Sequence, residues 1–340
     1  MICARAMMRP TRQKMSRVSK AAERSPFVLL SKSLLDLKSA ISSGPYVVTV
    51  TVSLAVAPAL AVEQQQNWTQ CINAQHIFAP DLAITGCTAV IQLGRETSQN
   101  KAIAFAYRGN AYREKGDLDR ALSDFNEAIR INPRFSLAFT NRGNVYRTKG
   151  DLHSALADYN EAIRLDPTVA KAFANRGSLY HAIGGFDRAI VDLGEAIRLD
   201  ANDPFARFNR GTAYTAKGEF DSALTDYNEA IRLYPTFSMA FNNRGVLFRN
   251  IADLDRAIAD FTDAVRFDPW SAIAYNNRAM VWAQKGELGR AIADFTTAIT
   301  LNPIYAGAFV GRGQAKQKMG DGSGAEADFE AAKAINQSGH

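Results

Sequence analysis

One spacing governs this chain. Written in rows of 34 residues from Ala102, it places the same residue type in the same column seven times. Column 8 reads Gly109, Gly143, Gly177, Gly211, Gly245, Ala279 and Gly313, and columns 20 and 27 are Ala throughout, from Ala121 and Ala128 to Ala325 and Ala332. Bulky rings recur beside them. Column 11 holds Tyr112, Tyr146, Tyr180, Tyr214, Phe248 and Trp282; column 24 holds Phe125, Tyr159, Tyr227, Phe261, Phe295 and Phe329. A period of this size marks one supersecondary unit that cannot bury its apolar face alone and is completed by its neighbours. Small residues let one helix press its backbone against the next, and the rings fill the remaining space.

Midway along five of the seven rows comes a Gly followed by an acid, as in Lys115-Gly116-Asp117-Leu118, Lys149-Gly150-Asp151-Leu152 and Lys285-Gly286-Glu287-Leu288. Glycine accepts the left-handed turn that ends one helix, and the acid sits at the start of the next, where helix dipoles favour negative charge. Pro133, Pro167, Pro235, Pro269 and Pro303 then close their rows and open the following ones. Each row therefore reads helix, turn, helix.

Small-8, aromatic-11, Ala-20, aromatic-24, Ala-27 and Pro-32 together resemble the tetratricopeptide repeat family across residues 102–339. The resemblance implies an all-α, alpha-alpha superhelix of seven units: 102–135, 136–169, 170–203, 204–237, 238–271, 272–305 and 306–339. Departures are few. Ala201 stands in the proline column with Pro204 later, Ala252 replaces a turn glycine, and the last row carries Lys316 and Gln337 where an aromatic and a proline recur. A terminal unit facing water tolerates such changes.

The +6 net charge points to nucleic acid until its location is considered. Residues 1–61 hold nine Lys or Arg against Glu23 and Asp36, leaving 31 basic and 32 acidic residues in the remainder. That near-neutral body has no footprint for a phosphate backbone, so nucleic acid is not an expected partner. Basic residues from Arg5 to Lys38, an apolar stretch from Tyr46 to Ala57 and Ala59-Leu60-Ala61 have the order of a secretory signal. The expectation is a signal peptide cleaved after Ala61, or a retained anchor over residues 41–62 as the sole membrane contact. Either places the body in the periplasm or outside the cell.

Residues 62–101 read as a divergent N-terminal cap, because Ala83–Ile91 align with Ala121–Ile129 after an insertion of four residues. Cys71 and Cys87 fall on its two helices, and an oxidising compartment favours a disulfide between them. Neither these cysteines nor His76, His153, His181 and His340 have metal-ligand spacing, so no metal and no cofactor is expected.

Two column sets bear on function. Column 7 is Arg in every row and column 23 is Asp in every row, so Arg142, Arg176, Arg210 and Arg244 are expected to pair with Asp158, Asp192, Asp226 and Asp260 in a structural ladder. Column 6 carries Asn141, Asn175, Asn209, Asn243 and Asn277. In the family this column faces the concave groove, where an amide can match both the N–H and C=O of an extended peptide. The array resembles the asparagine ladder in the repeat domain of O-linked N-acetylglucosamine transferases, without any counterpart of their catalytic domain. Asn110, Asn144 and Lys171 join these as groove residues. Asn110, Asn141 and Lys171 match part of the carboxylate clamp of chaperone-tail-binding repeats, whereas Ala106 and Asn175 replace its remaining Lys and Arg.

No irregular loop, phosphate cradle or nucleophile interrupts the rows, which argues against an enzyme. The expected function is a scaffold or adaptor of the cell envelope that grips an extended segment of a protein partner. Two alternatives remain. One is a groove that holds a glycan or envelope polymer; the other is an assembly factor using the convex face or the C-terminal helix, through which the chain could also self-associate.

Overall fold

The computed structural model describes residues 61–72, 79–94 and 96–338. The chain divides into two compact units, Met1–Gln65 and Gln66–His340. All but the last residue of the expected leader, together with Cys3, His76 and His340, lies outside the described residues. Among the described residues no helix is long and apolar enough to cross a membrane.

Every regular element described is a helix, sixteen in all. α1 covers residues 61–72 and α2 Pro80–Gln92. Seven hairpins follow: α3 (Ser98–Glu114) with α4 (Leu118–Ile131), α5 (Ser136–Lys149) with α6 (Leu152–Leu165), α7 (Ala170–Ala182) with α8 (Phe186–Leu199), and α9 (Pro204–Lys217) with α10 (Phe220–Leu233). The last three are α11 (Ser238–Asn250) with α12 (Leu254–Phe267), α13 (Ala272–Gln284) with α14 (Leu288–Leu301), and α15 (Ala306–Lys318) with α16 (Gly322–Ser338). α3 begins at Ser98 under a Thr97 cap, inside the stretch 62–101 expected to be cap. The first repeat thus gains a turn, which takes up the four-residue insertion.

The hairpin turns follow from their residues. Gly116, Gly150, Gly184, Gly218, Gly286 and Gly320 all have φ between 80° and 86°. Ala252 occupies the same conformation at φ 61°, where a Cβ costs about 1 kcal/mol. Asp117, Asp151 and Asp253 accept backbone N–H groups of Arg120, Ser154 and Arg256 and so cap α4, α6 and α12. Where the proline column fails, Pro204 opens α9, and Asp203 caps it by accepting from Phe205 and Ala206.

Inside each hairpin the column-8 glycine lies against the column-24 side chain. A Cβ on Gly143 would stand 2.7 Å from the Tyr159 ring, one on Gly211 2.8 Å from Tyr227, and one on Gly177 2.8 Å from Leu193. The sixth repeat breaks this rule and is compensated one row later. Ala279 supplies a Cβ, and the Phe295 ring lies so close to Gly311 of the next first helix that no side chain fits there unless the ring moves. Stacked hairpins make a helical solenoid whose core is a chain of local clusters, such as Phe125 with Val145 and Tyr227 with Leu247.

Candidate protein-interaction groove

The first helices of consecutive repeats touch at α3 and α5, α5 and α7, α7 and α9, α11 and α13, and α13 and α15. Among the described residues no two second helices approach comparably. The first helices therefore line the inner side of the curve.

The Arg and Asp columns lie just behind this wall. Arg142 Nε and Nη2 donate to the two carboxylate oxygens of Asp158 at 2.8 and 2.7 Å. The same fork joins Arg108 to Asp124, Arg176 to Asp192, Arg210 to Asp226, Arg244 to Asp260, Arg278 to Asp294 and Arg312 to Asp328. Every fork lies within one hairpin. The free Nη1 reaches backward to the preceding repeat: Arg142 to Asn126 at 2.7 Å, Arg176 to Asn160 at 2.8 Å, Arg244 to Asn228 at 2.6 Å and Arg312 to Thr296 at 3.1 Å. Most of these guanidinium groups also lie over the aromatic ring three residues earlier, Arg176 at 5.6 Å from Phe173. Hydrogen bonding to the carboxylates raises the arginine pKa values of Arg108, Arg142, Arg176, Arg210 and Arg278 further, so these guanidinium groups stay charged.

Column 25, which receives the backward bond, was not singled out in the sequence. Its signal was present, because the offset from Asn126 to Arg142 is the same sixteen residues that separate Arg142 from Asp158. A mixture of Asn and Thr conceals it from a search for charge partners.

The cap uses the same offset differently. Cys71 and Cys87 are also separated by 16 residues and stand with S–S at 2.11 Å, fully buried. In the four-residue-shifted register Cys71 takes the place of Gly109 and Cys87 that of Phe125, while Gln70 and Gly86 stand where Arg108 and Asp124 form a fork. Thr88 takes the column-25 place and accepts from Arg108 at 3.0 Å.

On the inner wall the expected groove residues divide. Asn209 donates to Ser178 at 3.1 Å, Asn277 donates to Asn242 at 2.9 Å, and Asn243 accepts from Asn242 at 3.2 Å. The Asn209 and Asn277 amides bridge consecutive first helices, whereas the Asn242–Asn243 bond lies within α11. Asn144 accepts the Tyr159 hydroxyl at 2.8 Å and is thereby turned toward its own hairpin. Asn110, Asn141, Asn175 and Lys171 form no hydrogen bond or ion pair among the described residues and are half-buried, apart from the exposed Lys171.

Column 2 is the feature missed. Leu137, Phe205, Met239 and Ile273 present 39%, 45%, 45% and 58% of their surface to solvent on the inner wall. Phe205 joins Tyr234 and Phe237 in an aromatic cluster with centroids 5.1–6.3 Å apart. The groove consequently changes character along its length. Arg113, Arg147 and Lys171, none in an ion pair among the described residues, lie in the first three repeats, and the apolar side chains of Phe205, Met239 and Ile273 lie in the fourth to sixth. Burial pushes the Tyr159 phenol up, so it remains a neutral donor beside Arg147.

Sequence models of the tetratricopeptide repeat match residues 109–150, 143–184, 170–203, 204–237 and 242–308, more than half of the chain. No curated protein matches. Among solved structures, a tetratricopeptide repeat protein from Parabacteroides merdae is 24% identical, with a TM-score of 0.54, covering 70% of this chain and 93% of that one. PilF of Pseudomonas aeruginosa is 17% identical with a TM-score of 0.56, covering 61% and 95%. The APC/C hetero-tetramer of Cut9 and Hcn1 is 18% identical with a TM-score of 0.59, covering 76% and 52%. These likenesses concern fold. The sequence models, matched over more than half of the chain, show that it belongs to the tetratricopeptide repeat family.

Proposed function

We propose that the protein is a non-catalytic scaffold of the cell envelope that holds an extended segment of a protein partner along its inner wall. The observation that carries this is the row of half-buried Asn amides on successive first helices, with Asn141 and Asn175 free of protein partners and Asn209, Asn243 and Asn277 bonded only to neighbouring side chains. An extended chain advances about 3.3 Å per residue and helices pack about 10 Å apart, so one amide meets roughly every third peptide unit. Arg113, Arg147 and Lys171, in no ion pair among the described residues, favour acidic residues in the first part of that segment, and Phe205, Met239 and Ile273 favour apolar residues farther along it. Residence beyond the cytoplasm rests on the charge order of residues 1–61 and on the buried cysteine pair.

Crosslinking in the native cells identifies the partner. Substituting Asn175, Asn209 and Asn243 together by Ala should then weaken its retention at least tenfold while leaving helicity unchanged. Retention of a glycan instead of a peptide, or undiminished peptide binding by the triple variant, would overturn the reading.

A further inference from the structure

The loops that join one repeat to the next each expose a tip residue in column 33, and its chemistry changes along the chain. The tip is Arg134, Thr168, Asn202 and Thr236 after the first four repeats, then Trp270 and Ile304 after the fifth and sixth. These last two are 81% and 75% exposed, the highest values for any large apolar side chain among the described residues. They stand one repeat apart on the same edge of the solenoid, roughly 10 Å by the spacing of packed helices.

A second change coincides with the first. In the first five repeats the last turns of the second helix carry an acid and an arginine as an exposed ion pair, from Glu127 with Arg130 at 2.6 Å to Asp263 with Arg266 at 2.8 Å. In the sixth the same columns hold Thr297 and Thr300, just before Ile304, and in the seventh they hold Ala331 and Ala334. The apolar tips therefore border an edge that has lost its charge pairs.

The polar groups that remain there are bonded within the chain. Trp270 N–H donates to Asp268 Oδ1 at 3.1 Å and Ile304 N–H to Asn302 Oδ1 at 3.2 Å, while the carbonyls of Trp270 and Ile304 accept from Ala272 and Ala306, both at 3.1 Å. Pro269 and Pro303 have no N–H to satisfy. The hydroxyls of Thr297 and Thr300 donate to the carbonyls of Ala293 and Thr296 at 3.1 and 2.9 Å. A protein partner is ordinarily met with about one hydrogen bond per 100–200 Å², and this edge offers few donors for that. The boundary of a bilayer asks the opposite: apolar tips, no unpaired charge, and backbone groups satisfied internally. Tryptophan suits it, with an apolar ring and an indole N–H for headgroup oxygens.

We infer that the Trp270 and Ile304 tips make a peripheral contact with a lipid surface of zwitterionic headgroups. Asp263 and Arg266, on the helix that leads to Trp270, neutralise each other, so no anionic lipid is required. The inference goes beyond the peptide-binding reading of the groove and does not depend on it.

The test titrates the full-length protein with phosphatidylcholine vesicles and follows tryptophan emission. Trp68 and Trp282 are half-buried, so the free-standing Trp270 carries the signal. Emission should move to the blue saturably, be quenched by lipids brominated on the upper acyl chain, and respond neither to added salt nor to exchange of some lipid for phosphatidylglycerol. Ile304→Thr installs the tip of the second and fourth repeats and should weaken binding roughly tenfold, as withdrawal of one aliphatic side chain from an apolar phase implies. Trp270→Thr should abolish the spectral shift. Thr297→Glu with Thr300→Arg restores the pair of the first five repeats and should also weaken binding, because those charges would have to leave water. None of these side chains is buried, so melting should be unchanged in every variant. Absence of the blue shift, a requirement for anionic lipid, or undiminished binding by Ile304→Thr, as attachment through residues 41–62 alone would give, would overturn the inference. So would a blue shift that grows with protein concentration in the absence of vesicles, the mark of a second copy seated on the tips.

Discussion

Each column-7 arginine closes two gaps at once, one within its hairpin and one to the hairpin before it. Arg176 illustrates the balance: its fork holds Asp192, which is 5% exposed, and its remaining nitrogen holds the exposed Asn160. Arg176→Ala strands a buried carboxylate and should lower stability in urea by about 3 kcal/mol. Asn160→Ala should cost less than about 1 kcal/mol, because water replaces the lost partner. Equal effects of the two changes would show that the forks do not carry the load assigned to them. The fourth repeat offers the converse. Gly194 occupies column 25, so Arg210 lacks the backward bond, and a Cβ there would sit 3.6 Å from its Nη1. Gly194→Asn supplies the acceptor and removes a helix-interior glycine, so a gain of about 1 kcal/mol is expected; denaturant midpoints of the variant and parent decide it.

At the scale of the helix, the aspartate that caps α12 and one within it are shifted in opposite senses. Backbone and side-chain hydrogen bonds from Arg256 hold Asp253 below the ordinary value of 3.8. Burial lifts Asp260 above it despite the Arg244 fork. The stability tied to Asp253 is therefore present above the free-aspartate pKa and lost as pH falls through its depressed folded value. For Asp260 the sign reverses: the fold takes up a proton before the unfolded chain does, so its contribution grows as pH drops from the raised folded value toward 3.8. Carboxyl 13C titration should show the two midpoints on either side of 3.8, and coincident midpoints would contradict this account. The N-terminal hairpin makes a different use of its pairing. With no arginine fork available, its cysteines close a loop spanning 16 residues, worth roughly 3 kcal/mol in the chain-entropy model. Reduction should add two mass units, expose both thiols to alkylation and melt α2 before the repeats; a mass unchanged by reductant would show that the bond is not formed.

How much of this was legible beforehand depends on where each constraint originates. The hairpins could be read because columns 8, 20, 24 and 27 face one another inside a unit, where packing tolerates few side chains, and because Gly116 or Gly150 occupies a conformation few residues adopt. The arginine forks were legible through invariant charge at a fixed offset. Column 25 was not, since Asn126 and Thr296 perform one task with different groups across a repeat boundary. The displaced ring contact of the sixth repeat was less visible still, for it depends on Ala279, Phe295 and Gly311 in three different helices. Nor does sequence alone reveal that Phe205, Met239 and Ile273 stay exposed, because apolar residues in a helix ordinarily imply core.

The whole molecule has no single centre to protect. Contacts run from each helix to the next and, on the inner wall, to the next but one, so stability is a sum of hairpin terms and nearest-neighbour interfaces. In such an array the position of damage matters as much as its severity. A Cβ on Gly211 would stand 2.8 Å from Tyr227, and one on Gly313 would stand 2.8 Å from Phe329, so the local clash is the same. Gly211→Leu, however, removes a hairpin with neighbours on both sides, whereas Gly313→Leu removes the terminal one. Hydrogen exchange of Gly211→Leu should lose protection in α9 and α10 and in the faces of α8 and α11 packed on them, while α3 to α6 and α13 to α16 keep theirs. Urea unfolding should then separate into two transitions for the two arms, and partner binding across the groove should fail because its halves are no longer held in register. Gly313→Leu should fray α15 and α16 alone and keep one main transition. Uniform loss of protection in both variants would mean that the repeats unfold as a single cooperative block, and the description of this protein as a chain of neighbour-supported hairpins would be wrong.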